Sequence, residues 1–123
     1  MGIFTTPTLL LRAEGAALLA LSLFFYSHLE GNWIAFILLL LAPDIGMIGY
    51  LRGPRLGAAT YNLTHMEVLP AALALIAFTM GYEVLMRPAL IWLAHIGMDR
   101  SLGYGLKLPS AFQDTHLGRI GRR

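Results

Sequence analysis

The stretch Trp33-Ile34-Ala35-Phe36-Ile37-Leu38-Leu39-Leu40-Leu41-Ala42-Pro43-Asp44, continued by Ile45-Gly46-Met47-Ile48-Gly49-Tyr50-Leu51, decides the fold. It contains one charged residue, Asp44, and is close to the roughly 20 residues that carry a helix across a hydrocarbon core. It shows no alternation of apolar and polar residues, as a membrane barrel strand would need. An open strand in lipid would leave its backbone groups without partners, so a helix is the form that satisfies them. Reading outward, three further stretches have the same character. The four together cover about 7–28, 32–51, 56–82 and 85–106. Turn-forming residues separate them: Leu29-Glu30-Gly31-Asn32, Arg52-Gly53-Pro54-Arg55 and Gly81-Tyr82-Glu83. The expectation is an all-α polytopic membrane protein, with four transmembrane helices in residues 1–106 and a basic cytoplasmic tail at 107–123.

Composition supports this reading. Of 123 residues, 57% are hydrophobic and 13% charged, and mean hydropathy is +0.65. Soluble domains carry about 25% charged residues, so a soluble fold would lack the polar groups to coat its surface. The absence of cysteine excludes a disulfide framework and a thiolate metal site. The first stretch has the outline of a secretory signal, but Tyr26-Ser27-His28-Leu29 lacks the small-residue cleavage pattern, so it reads as a retained helix.

Orientation follows from the basic residues. With the N-terminus inside, Arg12, Arg52, Arg55, Arg100, Lys107, Arg119, Arg122 and Arg123 fall on the inner side and only Arg87 on the outer. The positive-inside rule then predicts both termini in the cytoplasm. Tyr26, Trp33 and Tyr82 suit the outer interface and Tyr104 the inner one, while Trp92 and the methionines read as packing or lipid-facing residues.

This topology aligns the buried polar residues by depth. At about 1.5 Å rise per residue, Glu14, Asp44, Asn62, His65, His95 and Asp99 fall in one slab of the cytoplasmic half, with every helix contributing. Asn62 and His65 are three residues apart, and His95 and Asp99 four, so each pair shares a helix face. Charged groups at that depth cost several kcal/mol unless they pair or face a wet cavity. Pro43 removes a helix hydrogen bond beside Asp44, and Gly46 and Gly49 admit a neighbouring helix closely.

Imidazoles with carboxylates are a ligand set for zinc, or for iron or manganese. Asp44, His65, His95 and Asp99 are the candidate ligands, and Glu14 is the candidate base or a further ligand. Asn62 and Arg100 are supporting polar residues. The bland alternative is interhelical glue, in which Arg12, Arg52, Arg55 and Arg100 neutralise the carboxylates. Glu67 lies about 200° around its helix from His65 and so faces elsewhere, toward lipid or another chain. In the tail, composition favours an interfacial segment held by anionic headgroups. The sharper alternative folds Asp114 and His116 back over the bundle mouth as a lid or as extra ligands.

The runs Arg12-Ala13-Glu14-Gly15, Ala42-Pro43-Asp44, Gly49-Tyr50-Leu51 and Tyr61-Asn62-Leu63-Thr64-His65 occur in that order. Trp92-Leu93-Ala94-His95-Ile96-Gly97-Met98-Asp99-Arg100, Gly103-Tyr104-Gly105-Leu106-Lys107 and Asp114-Thr115-His116-Leu117-Gly118-Arg119 follow. With these motifs the chain resembles, over nearly its whole length, the small bacterial membrane family catalogued as domain of unknown function 4260. The resemblance implies a bacterial inner-membrane protein.

Three functional readings stand. One is a metal-dependent membrane hydrolase acting at the cytoplasmic leaflet with a divalent metal as cofactor. Another is a proton- or ion-handling protein, for which the outer half lacks polar residues. The third is a non-catalytic subunit of a homo-oligomer or larger membrane complex. The bilayer is the expected environment, and nothing resembles a nucleic-acid recognition fold. Phosphate-binding loops, nucleophile elbows and haem-attachment motifs are likewise missing from the sequence.

Overall fold

The structure, a computed structural model, describes residues 5–120; Arg122 and Arg123, the last basic residues of the tail, lie outside them. Helix α1 spans Pro7–His28, α2 Trp33–Leu40, α3 Pro54–His65, α4 Val68–Met80 and α5 Glu83–Leu102, with a 3₁₀ helix at Ala42–Leu51 between α2 and α3. A short hairpin, β1 (Asp114–Thr115) and β2 (Gly118–Arg119), closes the described chain. Three helical stretches, Pro7–His28, Trp33–Leu51 and Pro54–Met80, are long and apolar enough to cross a membrane. Most of their side chains face outward, where lipid rather than protein would cover them.

Helix α5 is the central element and does not reach that apolarity, since it carries Glu83, Arg87, Asp99 and Arg100. It packs on α1, α2, α4 and the 3₁₀ helix, and buries Ala89, Leu90, Ile91, Ala94, His95, Ile96, Gly97, Asp99 and Arg100. A helix sheathed by protein can hold polar groups that lipid would not tolerate. Its contact with α1 is a close crossing at Gly15 and Gly97. A Cβ on Gly97 would lie 2.6 Å from the Leu19 nitrogen and 2.8 Å from the Gly15 oxygen. Toward the other end, Tyr26, Phe36, Leu90, Ile91 and Ala94 form the apolar core. The 3₁₀ helix and α3 meet in a second close crossing. Cβ atoms on Gly46 and Gly49 would lie 2.6 Å from the Thr60 oxygen and 2.8 Å from the Leu56 oxygen, as the small-residue pattern predicts.

Two of the apolar stretches are broken in mid-course, which the uniform hydrophobicity of the sequence did not reveal. The first break is at Leu41, where α2 gives way to the 3₁₀ helix around Pro43. The second is at Met66, whose extended backbone separates α3 from α4. Broken helix ends leave carbonyls without intrahelical partners. At the second break they are satisfied by side chains of α5: the Trp92 indole donates to the Thr64 oxygen (2.6 Å) and the Arg100 guanidinium to the His65 oxygen (2.9 Å). Both breaks lie beside candidate ligands, Asp44 after the first and His65 before the second.

Candidate metal centre

Four side chains from three elements converge at these breaks. Asp44 comes from the 3₁₀ helix, His65 from the last residue of α3, and His95 and Asp99 from one face of α5. His65 Nε2 lies 3.0 Å from His95 Nε2, 3.1 Å from Asp44 Oδ1 and 3.5 Å from Asp99 Oδ2. His95 Nε2 lies 3.2 Å from each of the same carboxylate oxygens. All four ligand atoms are within 4.8 Å of one another. The imidazoles are fully buried, and Asp44 is the most open of the four, with its side chain 33% exposed.

Hydrogen bonding sets the orientation of His65. Its Nδ1 is 2.9 Å from the Tyr61 carbonyl, which can only accept, so the proton sits on Nδ1 and the Nε2 lone pair points into the cluster. The Thr64 hydroxyl is also 2.9 Å from Nδ1, and the Tyr61 ring stacks on the imidazole at 3.7 Å between centroids. The Tyr61 hydroxyl is a long 3.4 Å from Asp99 Oδ2. His95 Nδ1 makes no hydrogen bond of ordinary geometry; the backbone acceptor facing that imidazole is the Leu40 carbonyl at the end of α2. With the His95 proton on Nδ1, toward the Leu40 carbonyl, four acceptor atoms surround one point. A single proton on His95 Nε2 would serve only one of the other three well, whereas one cation can serve all four. The group can hold a metal ion.

Glu14 is not part of this centre. It is exposed on α1, because its neighbour Gly15 is the residue pressed against Arg100, and one residue turns the helix face by about 100°. The expectation that Glu14 acts as base or ligand is corrected on this ground. Arg100 does not neutralise the carboxylates either: it is buried and binds the His65 and Tyr104 carbonyls. Arg12, at the same level, donates to the Ser101 carbonyl (3.0 Å). The glue reading, in which arginines quench the carboxylates, therefore has no ion pair to support it among the described residues. Glu67 is exposed at the break after α3, with Arg100 in electrostatic reach.

The tail folds back over the bundle. Asn62 makes two hydrogen bonds to the backbone of Lys107, accepting from its nitrogen (2.6 Å) and donating to its oxygen (2.8 Å). Lys107 forms a bridge with Thr115, and Phe112 packs edge-on against Tyr50. Asp114 and His116 do not reach the metal centre. Asp114 accepts from the Ser110 hydroxyl and pairs with Arg119, contacts that hold its carboxyl below the usual range. His116 Nδ1 accepts from the Leu106 nitrogen (2.8 Å), consistent with burial, then the Arg100 charge, lowering its pKa and keeping it neutral. These two residues shape the tail rather than the centre. Replacing Asn62 by alanine removes both bonds to Lys107. At about 1 kcal/mol or more for the pair, trypsin should cut after Lys107 about tenfold faster, read by limited proteolysis and mass spectrometry.

Between tail and bundle lies a cleft of about 270 Å³, with Asp44, Asp99, Tyr61, Lys107 and Phe112 among its lining residues. A second cavity of about 290 Å³, almost wholly apolar, is lined by Leu39, Pro43, Thr64, Ile91 and Trp92. Tyr61, Thr64, Trp92 and Lys107 were not singled out by sequence reasoning for this site. Tyr61 had a readable signal, since it lies four residues before His65 on the same face.

No curated protein and no solved structure matches the chain. One family model does match, across residues 8–120, in agreement with the resemblance carried by the motifs. The chain belongs to that family, described as Domain of unknown function (DUF4260).

Proposed function

We propose that this is a metal-binding integral membrane protein in which Asp44, His65, His95 and Asp99 hold one divalent ion for hydrolytic chemistry. The observation that carries the reading is the set of distances between the ligand atoms. Tetrahedral zinc with bonds of about 2.0–2.1 Å requires ligand atoms about 3.3–3.4 Å apart; five of the six separations run from 3.0 to 3.5 Å, and the two carboxylate oxygens lie within 4.8 Å of each other. Zinc suits two imidazoles and two carboxylates; iron or manganese would suit them with added water ligands.

Both carboxylates line the cleft while the histidines lie behind them. An ion held there would face the cleft, the side from which a substrate can approach. When bound, such an ion supplies Lewis acidity and lowers the pKa of its water. His65 keeps its lone pair aimed inward through its bond to the Tyr61 carbonyl, the kind of outer contact that fixes a ligand's tautomer. We further propose four crossings of a bacterial inner membrane with both ends cytoplasmic. Support comes from the distribution of basic residues and from the enclosure of α5 by its neighbours.

The test is metal analysis after purification in mild detergent. About one divalent ion per chain is expected in the wild type, with loss of nearly all of it in His65→Ala and Asp99→Ala. Wild-type protein that is folded and carries no bound metal, even after incubation with zinc, iron or manganese, would sink the reading.

A further inference from the structure

The cleft beside the centre contains one cation whose role the metal reading leaves open. The Lys107 side chain is buried at 4% exposure, with its ammonium 3.8 Å from the Phe112 ring centroid and 4.8 Å from that of Tyr61. No ion pair among the described residues includes it. Aromatic faces stabilise a cation but do not neutralise it. A buried charge without a counter-charge is costly, and burial correspondingly lowers the Lys107 pKa against the opposing pull of Asp99 and Asp44.

The loaded centre would not supply the missing counter-charge. Two neutral imidazoles, two carboxylates and a divalent ion sum to zero. Lys107 then leaves the cleft with one net positive charge. Asp44, Asp99 and Lys107 line the same cleft, as do Tyr61 and Phe112, the two rings against which the ammonium lies, so an anion seated there would have both the ion and the ammonium beside it. A volume of about 270 Å³ lies just below the roughly 300–1,000 Å³ of small-molecule pockets, which suits a compact anionic group. Carboxylate anions carry one charge and two acceptor oxygens. A phosphoryl group offers up to two charges and enough oxygens to bridge both cations.

We propose that Lys107 is an anion-binding residue that holds a phosphoryl group against the metal ion, making a phosphate ester or free phosphate the ligand class of this site. The inference rests on the metal reading above. Lys107 is positioned by its backbone bonds to Asn62, so changing its side chain leaves that clasp in place.

The test uses full-length protein in detergent, stripped and reloaded with cobalt(II), with metal content measured first. Inorganic phosphate is titrated while the visible cobalt spectrum is recorded. Wild type should show a saturable spectral change. Lys107→Met should keep its cobalt and bind phosphate at least about tenfold more weakly, and Lys107→Arg should stay within about threefold of wild type. A cobalt-loaded wild type that does not respond to phosphate, or a Lys107→Met protein of unchanged affinity, overturns the proposal and leaves the metal reading intact. A wild type that takes up no cobalt overturns both. If Lys107→Met does not fold, loss of phosphate affinity in Lys107→Gln with cobalt retained supports the proposal, and unchanged affinity overturns it. Mixed micelles containing phosphatidic acid, compared with phosphatidylcholine alone, separate the two sources of the phosphoryl group. Tighter binding of phosphatidic acid than of inorganic phosphate at equal phosphate concentration identifies a lipid headgroup, and the reverse identifies free phosphate; each supports the shared chemistry.

Discussion

Replacing Gly97 by valine is expected to destabilise the protein by about 3 kcal/mol or more, the upper end for overpacked sites. The reason is what the new side chain would meet. Its Cβ alone would stand 2.6 Å from the Leu19 nitrogen and 2.8 Å from the Gly15 oxygen, both backbone atoms of α1. A flexible side chain could rotate away; a helix backbone has to move as a body, carrying the close contact between Gly15 and Arg100 with it. Gly97→Ala gives the sharper test. Alanine is favoured over glycine in a helix interior by about 1 kcal/mol, so propensity alone predicts stabilisation. The close crossing predicts the opposite sign. Thermal unfolding in a single detergent, followed by circular dichroism, decides between them. A Gly97→Ala protein that melts at or above the wild-type temperature would disprove the crossing.

Metal should change stability almost as much. An ion that binds the folded chain alone adds about 2.7 kcal/mol when free metal is at one hundred times its dissociation constant. Stripped protein is therefore expected to melt several degrees higher when zinc is restored, and His95→Ala to melt at the same temperature with or without zinc. The effect has a defined pH sign. Imidazoles and carboxylates bind metal only when deprotonated, so the gain from zinc should shrink as pH falls and disappear in acid, while the stripped protein lacks that added dependence. An equal zinc effect in wild type and His95→Ala would place the ion elsewhere. Magnesium, which is reluctant to shed water and prefers oxygen ligands, should give little stabilisation.

The breaks in the helices explain why the centre is built where it is. An unbroken helix through Met66 would have no loose carbonyls for Trp92 and Arg100 to bind, and those two contacts tie α5 to the end of α3. His65 is thereby held at a helix terminus, with Tyr61 and Thr64 fixing its ring from the preceding turn. Rigid support of this kind limits the freedom of a ligand before any ion arrives.

The membrane character and the partners of the centre were legible in the residues themselves. Apolar runs of spanning length predict helix, the form that satisfies the backbone in lipid, and the depth expected for Asp44, His65, His95 and Asp99 singled out four side chains that the structure brings together. The spacing of His95 and Asp99 further puts them on one face by helix geometry alone. Depth, however, says nothing about rotation. Glu14 sits at the right level and turns outward, because tertiary packing chose Gly15 for the contact with α5. Likewise Asn62, on the face of His65, was free to join the centre, and instead it clasps the Lys107 backbone once the tail returns. Composition favoured a tail lying on lipid headgroups; the fold returned it to the bundle, where Lys107 and Phe112 wall the cleft. Pro43 marked the break beside Asp44, but the one at Met66 was hidden, since hydrophobicity reports burial in lipid and is blind to a local turn. Sequence by itself thus determined the apolar helical stretches and which polar groups are expected at one depth, a property of length and hydropathy. Only the tertiary structure decided which of them face one another, because that depends on helix rotation and close packing between segments distant in the chain.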